Sequence, residues 1–212
     1  MLFLHEFNLN AHDITQMTYN DTLRQSNAFA MFDGLKFGLY WCFGFLCTIK
    51  GLGNDALSTL GTLATFSAPI LGCYIARRFE KQVRPDGAVG YGKGYLYSAL
   101  LYFYATIILT IFAYIYFNWI DGGEFVSSYL VRHNSPEMQE ALKISGMQEI
   151  FDEYIKQGGF KNFEQMLRSI TPIDIAASLF NTNIMLGLIL ALPTALFAKS
   201  PRQKQQSENE KL

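Results

Sequence analysis

The chain has 212 residues, of which 50% are hydrophobic and 17% charged, with 17 Lys and Arg against 18 Asp and Glu and a net charge of -1. Such a balance gives no basis for a nucleic-acid partner, and a mean hydropathy of +0.12 excludes a chain that is uniformly apolar. The average conceals the arrangement: the apolar residues fall in four blocks, while the charges sit in a tail, two links and an insert before the last block.

Residues 1–27 precede the first block. Met1-Leu-Phe-Leu is too short for a signal-peptide core and has no basic flank, so no cleavage is expected. Met17 is an alternative start. The stretch has no pattern a fold would need and reads as a disordered leader. The first block, residues 28–50, includes Asp33 and Lys36 and spans a bilayer if Lys36 snorkels to the interface. It also carries Gly34 and Gly38 four residues apart. A tight turn over residues 50–55 leads to the second block, residues 56–78, closed by Arg77 and Arg78. Ala64, Ala68, Gly72 and Ala76 form a small-residue stripe there, and Pro69 removes a backbone donor mid-block.

The third block, residues 94–120, has no charge between Lys93 and Asp121. At about 1.5 Å per residue it extends roughly 40 Å as a helix, against roughly 30 Å of hydrocarbon. Tyr91, Tyr95 and Tyr97 at one end, with Tyr114, Tyr116 and Trp119 at the other, are expected as interfacial belts. Tyr102 and Tyr104 lie between them, and their hydroxyls are expected to meet Ser and Thr of the second block.

The insert, residues 121–171, is amphipathic and acid-rich. Ser135-Pro136-Glu137 predicts a helix start, Met147, Ile150, Phe151, Tyr154 and Ile155 one apolar face, and Gly158-Gly159 its end. A shorter face follows in Phe160, Phe163, Met166, Leu167 and Ile170. These faces are expected to pack on one another as a helical cap in preference to lying in the headgroup layer. The fourth block, residues 172–198, opens with a capping box between Thr171 and Asp174. Asn181 and Asn183 lie deeper and need partners, expected across helices, because an unsatisfied amide is costly in hydrocarbon. A polar tail, residues 200–212, ends the chain.

Basic residues are concentrated in the link after the second block (Arg77, Arg78, Lys81, Arg84, Lys93) and around the tail (Lys199, Arg202, Lys204, Lys211). By the positive-inside rule both termini are expected in the cytoplasm and the insert outside. The fold class expected is therefore an all-α membrane protein of four spans with an extracytoplasmic helical insert between the third and fourth. Asp33 and Lys36 share a helix face and are expected to pair, with Arg77 or Arg78 as the alternative partner of Asp33. Gly34, Gly38, Ala64, Ala68, Gly72 and Ala76 are expected to let helices approach, within the chain or in a homo-oligomer. Cys42, Cys47 and Cys73 read as packing residues. No metal-ligand spacing, cofactor motif or nucleophile-base set occurs, so no cofactor and no enzyme activity are expected.

The basic link leading into Gly-Tyr-Gly-Lys-Gly-Tyr (Gly90 to Tyr95), the Tyr-Phe-Asn-Trp-Ile-Asp exit (Tyr116 to Asp121), the long acidic insert and the Thr-Pro start of the last block carry a resemblance. In these features the chain, over about residues 17–199, resembles an uncharacterised family of bacterial four-helix membrane proteins, domain of unknown function 4199. The resemblance implies this topology and a bacterial inner membrane, and brings no catalytic residues with it. The function expected is a non-enzymatic accessory or scaffold of the envelope, in contact with the lipid bilayer and with a membrane-protein partner or a second copy. The alternative is a small transporter or channel subunit with a polar path near Pro69, Asn181 and Asn183.

Overall fold

The computed structural model describes the backbone of residues 2–86 and 88–200, and within them the side chains from Asp21 onward except Asp86. Among the described residues every regular element is helical. In chain order these are α1 (Leu2–Lys50), α2 (Asp55–Val83), α3 (Tyr91–Ile115) continued by a π turn (Tyr116–Ile120), α4 (Glu124–His133), α5 (Pro136–Ile144), α6 (Met147–Gln157), α7 (Phe163–Ser169) and α8 (Pro172–Ala198). Three of them, α2, α3 with its π turn, and α8, are long and apolar enough to cross a membrane. Their large apolar residues point outward: Leu63, Phe66 and Ile70 on α2, and Met185, Ile189 and Leu196 on α8, are exposed. Water would penalise such a surface and hydrocarbon does not.

Over residues 2–27, where a leader is expected, α1 runs without a break into the first block. The reason is visible in retrospect. No Gly or Pro occurs before Gly34, so nothing in the backbone interrupts a helix that the first block requires. Ser26, within the expected leader, is buried.

The chain divides into two compact units, to each of which α1, α2, α3 and α8 contribute a part. The first comprises Met1–Gly34, Pro69–Phe103 and Leu186–Leu212. Asp33 there accepts a hydrogen bond of 2.8 Å from the Tyr97 hydroxyl. The Tyr97 ring stacks on Phe79 with centroids 3.8 Å apart, and Phe79 meets Phe29 edge-on. Tyr97 is therefore a core residue, which corrects its expected place in an interfacial belt. Next to Phe79 in the chain, the Glu80 side chain is 0% exposed and lies 3.1 Å from Arg77 and 2.7 Å from Arg84. It also accepts a bond of 2.9 Å from the Ser200 hydroxyl. That hydroxyl in turn accepts from the Val89 amide at 2.9 Å, and the Ser200 amide donates to the Val89 carbonyl at 3.0 Å. One buried carboxylate thus joins the end of α2, the link into α3 and the chain just beyond α8. Tyr102 is seated between two glycines: a methyl group on Gly72 would lie 2.4 Å from its hydroxyl, and one on Gly187 would lie 2.8 Å from its Cβ. The hydroxyl lies 3.1 Å from Thr194 of α8.

The second unit comprises Leu35–Ala68 and Tyr104–Met185. Close approach governs it as well. A methyl group on Gly38 would lie 2.8 Å from Ile108 Cβ, one on Gly44 3.1 Å from Ala64, and one on Gly61 2.7 Å from the Thr48 backbone nitrogen. The Tyr40 hydroxyl is hydrogen-bonded to Ser67 at 2.5 Å. The insert begins at Asp121, whose carboxylate accepts from the Gly123 and Phe125 amides and so starts α4, a helix the sequence reading missed. Ser135 caps α5 as predicted, with a bond of 3.3 Å from the Met138 amide. The single helix expected to run on to Gly158-Gly159 is instead two, because Gly146 turns left-handed at φ 69° between α5 and α6. The capping box of α8 has both arms: Thr171 amide to Asp174 at 3.0 Å and Asp174 amide to Thr171 at 3.3 Å. Tyr129, His133, Phe151 and Phe163 pack together, with the His133 and Phe163 rings stacked at 4.2 Å. The expected face on α6 is only partly used, since Met147, Ile150 and Tyr154 are exposed.

Two consequences are measurable in detergent. Gly61→Ala drives a methyl group into the Thr48 backbone and is expected to lower stability by about 1–3 kcal/mol, whereas Gly92→Ala, with open space at its Cβ, leaves the thermal midpoint in place. An unchanged midpoint for Gly61→Ala would remove the close approach. Glu80→Gln deprives two arginines and the buried Ser200 link of their anion at an expected cost of about 1–3 kcal/mol. Glu164→Gln, in an exposed pair with Arg168, serves as the control and changes stability by about 0.5 kcal/mol or less.

Candidate functional site

The residues singled out from the sequence do not converge. Asp33, 9% exposed, makes no ion pair among the described residues, so the expected bond to Lys36 is absent; Lys36 itself is exposed. A buried phenol meets the carboxylate without bringing in a second charge, while the lysine's flexible stem carries its ammonium outward. Arg77 is taken by Glu80. Asn183 donates at 2.8 Å to the Leu179 carbonyl of its own helix, and Asn181 is exposed, so neither bridges helices as expected among the described residues. A helical asparagine has a carbonyl one turn back within reach, and that local bond removes the need for a partner helix. Pro69 lies inside α2, in the first unit, whereas both asparagines lie in the second. Gly34, Gly38, Ala64, Ala68, Gly72 and Ala76 are all buried.

A different place in the second unit has the makings of a site. The π turn closes with the Asp121 amide bonded to the Tyr116 carbonyl at 2.9 Å, five residues back. It holds Tyr116 inward, 2% exposed, with its ring against Phe45 and Phe117. Tyr116 thereby departs from the interfacial belt expected of it, while Trp119 in the same turn stays 68% exposed. The buried Tyr116 hydroxyl makes no hydrogen bond of good geometry, though Lys50 is close enough to act on it. It borders a cavity of about 310 Å³ whose other walls are Ile49, Lys50, Gly53, Asn54, Leu57, Glu124, Phe125 and Ser128.

Each polar wall is placed by a local rule. Lys50 is the last residue of α1 and Glu124 the first of α4, the ends at which helix dipoles favour these charges, and they pair at 2.5 Å. Asn54 caps α2 through its side-chain oxygen, bonded to the Ala56 amide at 3.0 Å and the Leu57 amide at 3.2 Å. That leaves its NH2 group outside the cap. The site therefore combines one cation, one anion and one buried phenol against apolar walls, an arrangement suited to binding. Among the described residues no group of three His, Cys, Asp or Glu is placed to hold a metal ion.

Sequence reasoning missed this site and the Glu80 cluster. Arg77, Glu80 and Arg84 stand at helical spacing, which would have signalled the cluster had burial of the glutamate been foreseen. For the cavity the only signal was the run of Tyr116 to Asp121, which carries no mark of a π turn.

No curated protein and no solved structure matches the chain. A family model matches residues 33–200, from Asp33 to the Ser200 that closes on Glu80. The match takes in most of the chain and both polar clusters. The chain belongs to the family described as Protein of unknown function (DUF4199).

Proposed function

We propose that the chain is a four-span protein of the bacterial inner membrane, with both termini cytoplasmic and the insert outside, acting as a non-enzymatic accessory or scaffold of the envelope. The observation that carries the four-span reading is the face α1 presents. Phe32, Leu35, Leu39 and Phe43 are exposed on it while Asp33 is turned inward to Tyr97. Over residues 28–50 a helix with this pattern suits hydrocarbon, with Asp33 held by a phenol and the exposed Lys36 able to reach the interface. Orientation rests on the basic residues of the link after α2.

The scaffold reading is supported by where polar groups are spent. Asp33, Glu80, Tyr102 and Tyr40 each bond to a residue of the same unit outside their own helix, and Asn183 to its own helix, so these groups are spent on the fold and not on a path. A transporter would keep such groups for its solute.

Topology is tested with cysteine at Lys81 or Glu153, both exposed, after Cys42, Cys47 and Cys73 are replaced. A membrane-impermeant thiol reagent applied to cells stripped of their outer barrier is expected to label residue 153 and spare residue 81; the reverse result inverts the topology, and equal labelling rules out a crossing by α3 between the two positions. For function, Asn181→Leu with Asn183→Leu is expected to leave the protein folded and any phenotype of a deletion strain rescued in proportion to protein level. Lost rescue at normal abundance would favour the transporter.

A further inference from the structure

We propose that the cavity beside the Lys50–Glu124 pair binds a zwitterion carrying a primary ammonium and a phosphate, the chemistry that a phosphatidylethanolamine headgroup presents. Four observations lead there. The volume of about 310 Å³ falls at the lower end for ligand pockets and suits a group of headgroup size. The Tyr116 hydroxyl is buried and donates to no acceptor, and with Lys50 beside it a phosphate oxygen placed there accepts from both.

Charge selects the class further. Lys50 and Glu124 face each other with side chains 40% and 59% exposed, so parting them costs little. A zwitterion inserted between them gives the ammonium to Glu124 and the phosphate to Lys50, and the site stays neutral. An anion alone would leave Glu124 against it, and a cation alone would leave Lys50 so. Finally, the cavity lies at the start of α2 and the end of α3 with its π turn, two helices of membrane length. The exposed Trp119 belongs to that turn, and an exposed indole at a helix end suits headgroup depth. Ile49, Leu57 and Phe125 supply apolar walls for the carbon attached to the phosphate.

The lipid source rests on the membrane reading above; the zwitterion chemistry does not. The full-length chain, stripped of lipid in detergent, is offered phosphatidylethanolamine, phosphatidylglycerol or phosphatidylcholine, and separately free O-phosphoethanolamine. Retained lipid is read by native mass spectrometry and the thermal midpoint is recorded. Retention of phosphatidylethanolamine about tenfold over phosphatidylglycerol is expected, with the preference lost in Lys50→Gln and in Glu124→Gln and weakened in Tyr116→Phe. A midpoint raised by O-phosphoethanolamine, without preference among lipids, makes the free zwitterion the ligand; lipid preference alone makes it the headgroup. Should a charge variant fail to fold, Ser128→Phe fills the cavity and spares the ion pair, and it too is expected to abolish the preference. Equal retention of all three lipids with no effect of the free zwitterion overturns the proposal, as does a preference that survives these variants. A protein that labels with the expected topology and binds neither probe loses this inference alone.

Discussion

At Gly61 a single methyl group would stand 2.7 Å from the backbone nitrogen of Thr48, so α1 and α2 meet there with nothing between their main chains. The same condition recurs at Gly38, Gly44, Gly72 and Gly187. It follows from the solvent these helices are suited to. Where the surroundings are as apolar as leucine, burying leucine gains nothing, and helices are held by dispersion at short range and by hydrogen bonds that have no water to compete with. Many of the large apolar side chains consequently point away from the contacts, and the interior is rich in alanine, hydroxyls and aromatic rings, with Leu101, Leu109, Val83 and Val89 among them.

That division of labour explains where the charges are. Asp33 is buried against a phenol, and Glu80 against two arginines and a serine hydroxyl, because a carboxylate removed from water must recover its solvation from fixed donors. Glu80 has a further role. Arg77 and Arg84 stand on the same helix rim, and without an anion among them they would repel; with it, the start of the basic link becomes a closed, ordered turn to which the Val89–Ser200 backbone bridge is fastened.

The helices and their caps were legible in the sequence because they rest on local chemistry. Ser135, Thr171 with Asp174, and Gly159 each act within a few residues of themselves. The membrane-length blocks were legible for the same reason: absence of charge is a property of a window. What escaped depends on direction in space. Whether Tyr97 and Tyr116 face lipid or core, whether Asp33 meets Lys36 or Tyr97, and whether Gly187 is a gap or a seat for Tyr102 are decided by the neighbouring helix. The break at Gly146 is intermediate: a glycine inside an amphipathic pattern was visible, but only its φ of 69° makes it a terminus.

The π turn at Tyr116–Ile120 fits one residue more into a helical turn than the α-helix before it allows. Each residue of an α-helix advances the chain by about 100° around its axis, so an extra one rotates everything that follows by about that angle. In an uninterrupted helix the side chains after Tyr116 would occupy different azimuths, and Asp121 and Glu124 would set out in another direction. The turn therefore works as a phase shift between a segment whose rotation is fixed by packing and a segment whose rotation is set by its polar partners. Removing one residue from 116–120 would preserve composition, hydropathy and nearly all of the length, and still dissolve the walls of the cavity.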